Sequence, residues 1–401
     1  MAGAAWSFVA QQSQDSLKEN MAQTQSTVHQ LASVSAAAVG LGERGLPSGA
    51  EVLDPVFWDQ YDNDTLIYDT VWSADRGQLR VFCPKLFSFR EAMQDARWIV
   101  KGQPQKAGRL KQFRVYDTVK IPCSSRPDTL KVSAVPYPHN IPVSQADHDR
   151  YRGRNVLYSQ NRDNDLSWIC DWVVAHHRNH GVDAVLLSNN NSETYSSEEL
   201  RRALSKIPGI VVADVLEVPF RYGPNPATVK PVGALTFLQS TLLNIVRERW
   251  LQKARGVLVC DIDELVVSDT GQSIFDKTAS ALLKYTSFGG EWRYRAPNEA
   301  KAHHAQHIYA AQQPELCANK YCVVPDSILG RTSWGVHALE GINRRVFPAS
   351  RAFSFFHCRS ISTSWKNTRS QPPMDALRHD RATEDFMINS FASFEETNAT
   401  Q

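Results

Sequence analysis

The apolar positions change rhythm twice along the chain. Residues 1–49 are rich in Gln, Ser and Ala with few large apolar side chains, too few to offset the entropy of ordering, and read as a disordered tail. From residue 50 to 149, short apolar-aromatic runs (TLIYDTVW, LRVFCPKLFSF, FRVYDTVKI, LKVSAVPY) are separated by Gly, Pro and Asp turn signals, which predicts a β-rich region. From residue 150 to 401, strands and helices alternate: NVLYSQ, a helix over Leu166 to His180, AVLLSN, SSEELRRALSKI, GIVVADVLEV, the helical LTFLQSTLLNIVRERWLQKA, and RGVLVCDIDELVVSD. Such alternation predicts βαβ units around a parallel sheet, an α/β Rossmann-like domain. In the last of those helices, Leu235, Leu238, Leu242, Ile245, Val246 and Trp250 share a helical spacing and form its core face.

Composition narrows the class without naming a chemistry. At 401 residues and 42% hydrophobic content, the chain can bury a large core. Its 44 basic and 42 acidic residues leave a formal charge of +2, which offers no global field for nucleic acid, so any anion site must be local. Seven scattered cysteines without a CxxC pair fit reduced thiols in a cytoplasmic protein. The opening residues lack the basic and apolar regions of a signal peptide, and no apolar run is long enough to span a membrane, leaving only peripheral membrane association open.

The informative stretch is RGVLVCDIDELVVSD, where Asp261, Asp263 and Glu264 break a buried-looking run. If the strand continues through them, side-chain alternation puts Asp261 and Asp263 on one face and Glu264 on the other. Val257 to Cys260 reads as a fully buried parallel strand, so the acids stand at its carboxyl end, where open α/β sheets hold ligands. A divalent cation, Mn²⁺ or Mg²⁺, is the natural reason to gather them.

Several blocks together resemble the GT-A glycosyltransferases of the family 2-like and family 92-like group. Asn164-Asp165 takes the place of that group's KNE turn, and Asp171-Trp172 that of its EW pair. His176 or His177 with Gly181-Val182-Asp183 stands for HxxxGVD, and Asn189 to Ser192 for DNxS. CDIDEL is similar to DxDEF, and FSFFHCRSISTSWKNTR to a closing HYRS...WK segment, so the resemblance runs from about Asn155 to Arg369. Asp165 stands where the pattern has Glu, and Asn189 where it has Asp.

The resemblance implies a GT-A (Rossmann-like) nucleotide-sugar domain behind an N-terminal β-rich accessory region. It implies inverting, metal-dependent transfer of a sugar from a nucleotide-sugar donor such as a UDP-sugar to a glycan or other hydroxyl acceptor. Asn164, Asp165, Asn190 and Ser192 would then contact base and ribose. Asp263 would bind the metal and Asp261 the ribose or a metal-bound water, with His357 the imidazole ligand and His337 its rival. Arg359, Lys366 and Arg369 would neutralise the diphosphate, with Trp365 stacking over it. Glu291 is the first choice of general base, ahead of Glu299 and Asp326.

Other clusters have plainer readings. His176, His177 and His180 lie on a helix and read as packing residues, whereas His303, His304 and His307 in HHAQH have a spacing that a zinc site could use. DIDEL also suits an aspartyl phosphatase, although Leu265 stands where such enzymes want Thr or Val, and their catalytic strand comes first in its domain. A third possibility is a nucleotide-sugar or carbohydrate-binding protein of the same fold without turnover. The β-rich region could serve acceptor binding or dimerisation.

Overall fold

The computed structural model describes residues 24–106, 110–230, 235–296, 301–342, 347–361 and 373–392. Its centre is a nine-stranded mixed sheet. In chain order the strands are β1 (Gln25–His29), β2 (Asn155–Asn161), β3 (Ala184–Asn189), β4 (Val212–Glu217), β5 (Gly256–Val259), β6 (Glu264–Ser268), β7 (Tyr285–Arg293), β8 (Leu316–Val323) and β9 (Phe353–Cys358). They lie side by side as β1-β4-β3-β2-β5-β8-β7-β9-β6. β1 to β5 are mutually parallel neighbours in that order, β8 runs antiparallel to both β5 and β7, β9 is parallel to β7, and β6 closes the edge antiparallel to β9.

The four strands and three helices expected between residues 155 and 259 are all present. α1 (Leu166–His180) is capped by Asp165, which accepts from Ser167, and ends at Gly181, whose φ of 69° suits a residue without a Cβ. α2 (Ser197–Leu204) begins with a Ser196/Glu199 capping box, and α3 (Leu238–Arg249) follows with an almost wholly buried surface. The chain steps outward from β2 to β3 to β4, and α3 then carries it back to the other side of β2 as β5. Strand order thus reverses between β2 and β5, and the crevice beyond their carboxyl ends is where such sheets hold ligands. Two shorter helices complete this part, α4 (Ile274–Ser280) and α5 (Arg381–Phe391).

The β-rich region contains a five-stranded and a four-stranded sheet with a shared apolar core. It is welded to the α/β part. Phe57, Tyr61, Tyr68, Phe82 and Tyr116 share one buried cluster with Val156, Leu186, Val257 and the apolar face of α3. Glu248 of α3 accepts from both Arg76 and Arg80 at 2.9 Å, and Arg249 meets Asp69 at 3.2 Å. Among the described residues no helix is long and apolar enough to cross a membrane.

The expected disordered tail is overturned for residues 24–49. Gln25–His29 forms β1, hydrogen-bonded in parallel register with β4. Val34, Ala36 and Val39 are buried in the core of the β-rich region, and the buried guanidinium of Arg44 donates to the carbonyls of Asp62 and Thr65. Composition misled because small residues suffice in a strand laid over an existing sheet edge. Asp214 of β4, fully buried, clasps that strand: it accepts from Thr27 N at 2.9 Å, from the Tyr151 hydroxyl at 2.9 Å and from Arg150 at 2.6 Å. Burial opposes its charge, but Arg150 and His29, the latter 3.2 Å away, outweigh it and hold the carboxyl below the ordinary range. A chain beginning at Ser48 should therefore be insoluble or melt several degrees below the full chain, because β4 loses its partner and Asp214 part of its shell. Equal melting temperatures by calorimetry would contradict this.

Candidate metal centre

β5 does not continue through the acids. It ends at Val259, and Asp261 to Glu264 form a tight turn closed by Glu264 N donating to Asp261 O at 3.0 Å. The Glu264 carboxylate in turn accepts from Asp261 N at 2.8 Å. The strand alternation expected for these residues is therefore wrong. The turn sends Asp261 outward and brings Asp263 and Glu264 together at the start of β6, where Glu264 lies opposite His357 of β9. Two further bonds fix the turn: Cys358 N donates to Asp263 O at 2.7 Å, and the buried His304 ring donates from Nε2 to Ile262 O at 2.8 Å.

Asp263, Glu264 and His357 each offer a ligand atom, and these atoms lie within 4.8 Å of one another. His357 Nε2 is 2.9 Å from Asp263 Oδ2 and Nδ1 is 3.5 Å from Cys317 Sγ. Its ring stacks on Trp292 at a centroid distance of 3.7 Å and 16° between planes, which fixes the orientation of the imidazole. Two carboxylates and an imidazole form a donor set suited to a hard-to-intermediate divalent ion such as Mn²⁺. Those three side chains could hold a divalent ion, and Glu264, not Asp261, completes the set with Asp263 and His357.

Asp261 is engaged elsewhere. Lys320 of β8, 1% exposed, lies 2.6 Å from Asp261 and 3.2 Å from Glu264. Burial opposes the charge on Lys320, but the two carboxylates outweigh it and hold the ammonium protonated. Burial pushes Glu264 up to about 7, with Lys320 pulling the other way. For His357, burial again opposes charge, and the Asp263 carboxylate outweighs it, raising the imidazole to about 10.

The remaining predicted residues divide. Glu291 is corrected: along β7, Trp292 shares a face with His357, so Glu291 points to the other face. There it accepts from Arg293 at 3.1 Å, while the Arg293 Nε donates to Thr383 of α5 at 2.9 Å. Asp326 is exposed and paired with Arg331 at 2.8 Å. Lys366, Arg369, Trp365 and Glu299 lie outside the described residues, whereas Arg359 is within them, its guanidinium 4.7 Å from the Trp292 ring centre.

Asn164, Asp165, Asn190 and Ser192 do gather at the carboxyl ends of β2 and β3, but they largely bond the loops to one another. Asn190 is fully buried and donates to Val218 O and Phe220 O. Ser192 donates to Asn189 Oδ1 at 2.6 Å, Asn164 donates to Asn161 Oδ1 at 2.9 Å, and Asp165 caps α1 while meeting Lys301 at 2.8 Å. Asn190 in particular cannot reach a ligand without unfolding its turn, which corrects its expected nucleotide contact. The HHAQH cluster forms no metal set among the described residues; burial lowers His304 to about 4 and His307 to about 3, leaving neutral rings bonded to backbone. His176 and His180 bind Val266 N and O, the packing role expected of them.

His337 stands apart from the ligand set. Its Nδ1 is 3.3 Å from Asn319 O, and it lines a cavity of about 740 Å³ with Tyr222, Gln239 and Glu340. The sequence did not point to Trp292 or Cys317, and it placed Glu264 on the face away from Asp263; Lys320 left a trace as the one charge in the strand LCANKYCV. No protein-family profile matches this chain, and no curated protein is similar to it. Functional inference therefore rests on the site.

His357→Ala should weaken Mn²⁺ binding at least about ten-fold, measured by titration calorimetry, while His337→Ala leaves it unchanged. The reverse pattern would exchange the two assignments. Because the metal-free imidazole is raised to about 10, it is protonated at neutral pH and a metal must displace that proton. Mn²⁺ affinity should therefore increase from pH 6 to pH 9, with release of about two protons near pH 6, where Glu264 is also protonated, and about one toward pH 9, and a pH-independent isotherm would contradict the assignment.

Proposed function

We propose that the protein is a metal-dependent glycosyltransferase of GT-A type that moves a sugar from a nucleotide-sugar donor, a UDP-sugar by resemblance, to a hydroxyl of a glycan or other acceptor with inversion. The observation that carries this reading is the Asp263, Glu264 and His357 ligand set at the carboxyl end of β5, beside the reversal of strand order. Those three side chains would hold Mn²⁺ or Mg²⁺, whose charge supports a departing diphosphate. Arg359 adds a guanidinium beside the set through Trp292. Charge balance favours the same reading: with a neutral imidazole, Asp261, Asp263 and Glu264 against Lys320 leave two negative charges, which a divalent ion cancels. The seven free thiols fit a reducing, cytoplasmic setting.

The phosphatase reading fits less well. β5 is the fifth strand of its parallel series, and the Asp261 carboxylate that would have to attack is tied to Lys320. A binding protein without turnover uses the same ligand set. Thermal unfolding with UDP and Mn²⁺ together should raise the midpoint by about 2 °C or more at saturating ligand, neither component alone should match it, and Asp263→Asn should abolish the joint effect, from a metal-free midpoint lowered because His357 loses its ion-pair partner. Release of UDP from UDP-sugars separates enzyme from binder, and hydrolysis of p-nitrophenyl phosphate in place of both would sink the proposal.

A further inference from the structure

With Glu291 turned to the opposite face of the sheet, the site as described has no carboxylate to accept a proton from the acceptor. The cavity beside it supplies one. This chamber of about 740 Å³ is walled by Arg114 of the β-rich region, by Tyr222, by Gln239 at the start of α3, and by the segment containing His337 and Glu340. Its lining mixes hydroxyl and amide groups with apolar side chains, a surface suited to a polyhydroxylated molecule.

The cavity and the acid turn are neighbours. Tyr222, whose hydroxyl is hydrogen-bonded to Gln239 at 3.0 Å, is half-buried, and the Asp261 carboxylate adds to burial in raising its pKa while Lys320 lowers it. His337 rests on the carbonyl of Asn319, the residue before Lys320. Both walls therefore lead to the strand end that carries the acids.

Glu340 sits on a rigid support. Residues 333–340 form a small hairpin in which Glu340 N donates to Ser333 O at 2.8 Å and Gly335 N to Ala338 O at 3.0 Å. The fully buried Trp334 anchors it to α3: Trp334 N donates to Asn244 Oδ1 at 3.0 Å, Asn244 Nδ2 donates back to Trp334 O at 2.9 Å, and the indole donates to Gly330 O at 2.8 Å. The Tyr321 hydroxyl on β8 holds Gly335 O at 2.9 Å. Glu340 is the one carboxylate among the described residues that line the chamber, and its side chain joins no hydrogen bond or ion pair found among them.

We propose that this chamber is the acceptor site and that Glu340 is the general base of the transfer. This rests on the glycosyltransferase reading. The acceptor O–H bond breaks as its proton passes to Glu340, the oxygen forms the new bond to the anomeric carbon, and the bond from that carbon to the diphosphate breaks with its electron pair leaving on the nucleoside diphosphate. Glu340 then returns the proton to solvent. No protein nucleophile is needed.

Glu340→Gln keeps the size of the side chain and removes its basicity. UDP release from UDP-glucose, UDP-galactose and UDP-N-acetylglucosamine, with water and with methyl glycosides as acceptors, should fall at least about 100-fold in kcat. The joint UDP and Mn²⁺ thermal shift should stay as in the wild type, showing that the variant is folded and its donor site intact. Glu340→Asp should restore part of the rate. A Glu340→Gln enzyme within about three-fold of an active wild type overturns the assignment while leaving the glycosyltransferase reading standing. A wild type that neither binds UDP with Mn²⁺ nor turns over any of these donors overturns both.

Discussion

The buried ammonium of Lys320 is the interaction on which the site depends. Three carboxylates within four residues would repel one another and flare outward at the end of an open strand. Lys320 draws Asp261 and Glu264 to itself at 2.6 and 3.2 Å from a position inside the sheet, and so converts a repulsive sequence into a defined turn. Removing one partner of such a buried pair typically costs about 3–5 kcal/mol, because the other charge is left without compensation. The consequence lies with Asp263. Away from the lysine, its carboxylate meets His357 instead, and the two groups hold each other in place as ion-pair partners.

That arrangement has a second support at β6. Residues 264–268 form the edge of the sheet, where one side of a strand has no ladder partner. His176 and His180 supply what is missing: one ring accepts from Val266 N at 3.2 Å and the other donates to Val266 O at 2.9 Å. Burial keeps both neutral at physiological pH, lowering them to about 3 and about 4, so each can play its fixed part. α1 thus binds the strand edge as a further strand would, and the Glu264–His357 register is fixed from both sides.

The sequence made the parallel half of the sheet legible because β2 to β5 and their helices obey plain periodicities, with apolar runs in the strands and a capping box at Ser196. It also singled out Asp263 and His357, 94 positions apart, which the fold brings to 2.9 Å from one another. Other features were hidden for physical reasons. A tight turn and a continuing strand look alike over four residues, which concealed the inward course of Glu264. Lys320 is an ordinary lysine until the sheet places it between two acids. The antiparallel half of the sheet has no helix between every pair of strands to mark it, and β1 is recognisable only beside β4.

The β-rich region takes its meaning from the same packing. It shares a core with α3 and contributes Arg114 and Val115 to the wall of the chamber. The Tyr116 hydroxyl donates to Ser333 Oγ at 3.1 Å, at the base of the hairpin that carries Glu340. Arg247 of α3 donates to Thr332 O from the other side, so β-rich region, helix and hairpin form one continuous support. In this geometry the acid turn and the chamber share β8, through Lys320 and Tyr321, but the rest of their support differs. The turn is fixed by the sheet and its buried charges, whereas the opposite wall of the chamber comes from the β-rich strands. Change in those strands can reshape what enters the chamber while Asp263 and Glu264 stay where His357 and Lys320 put them.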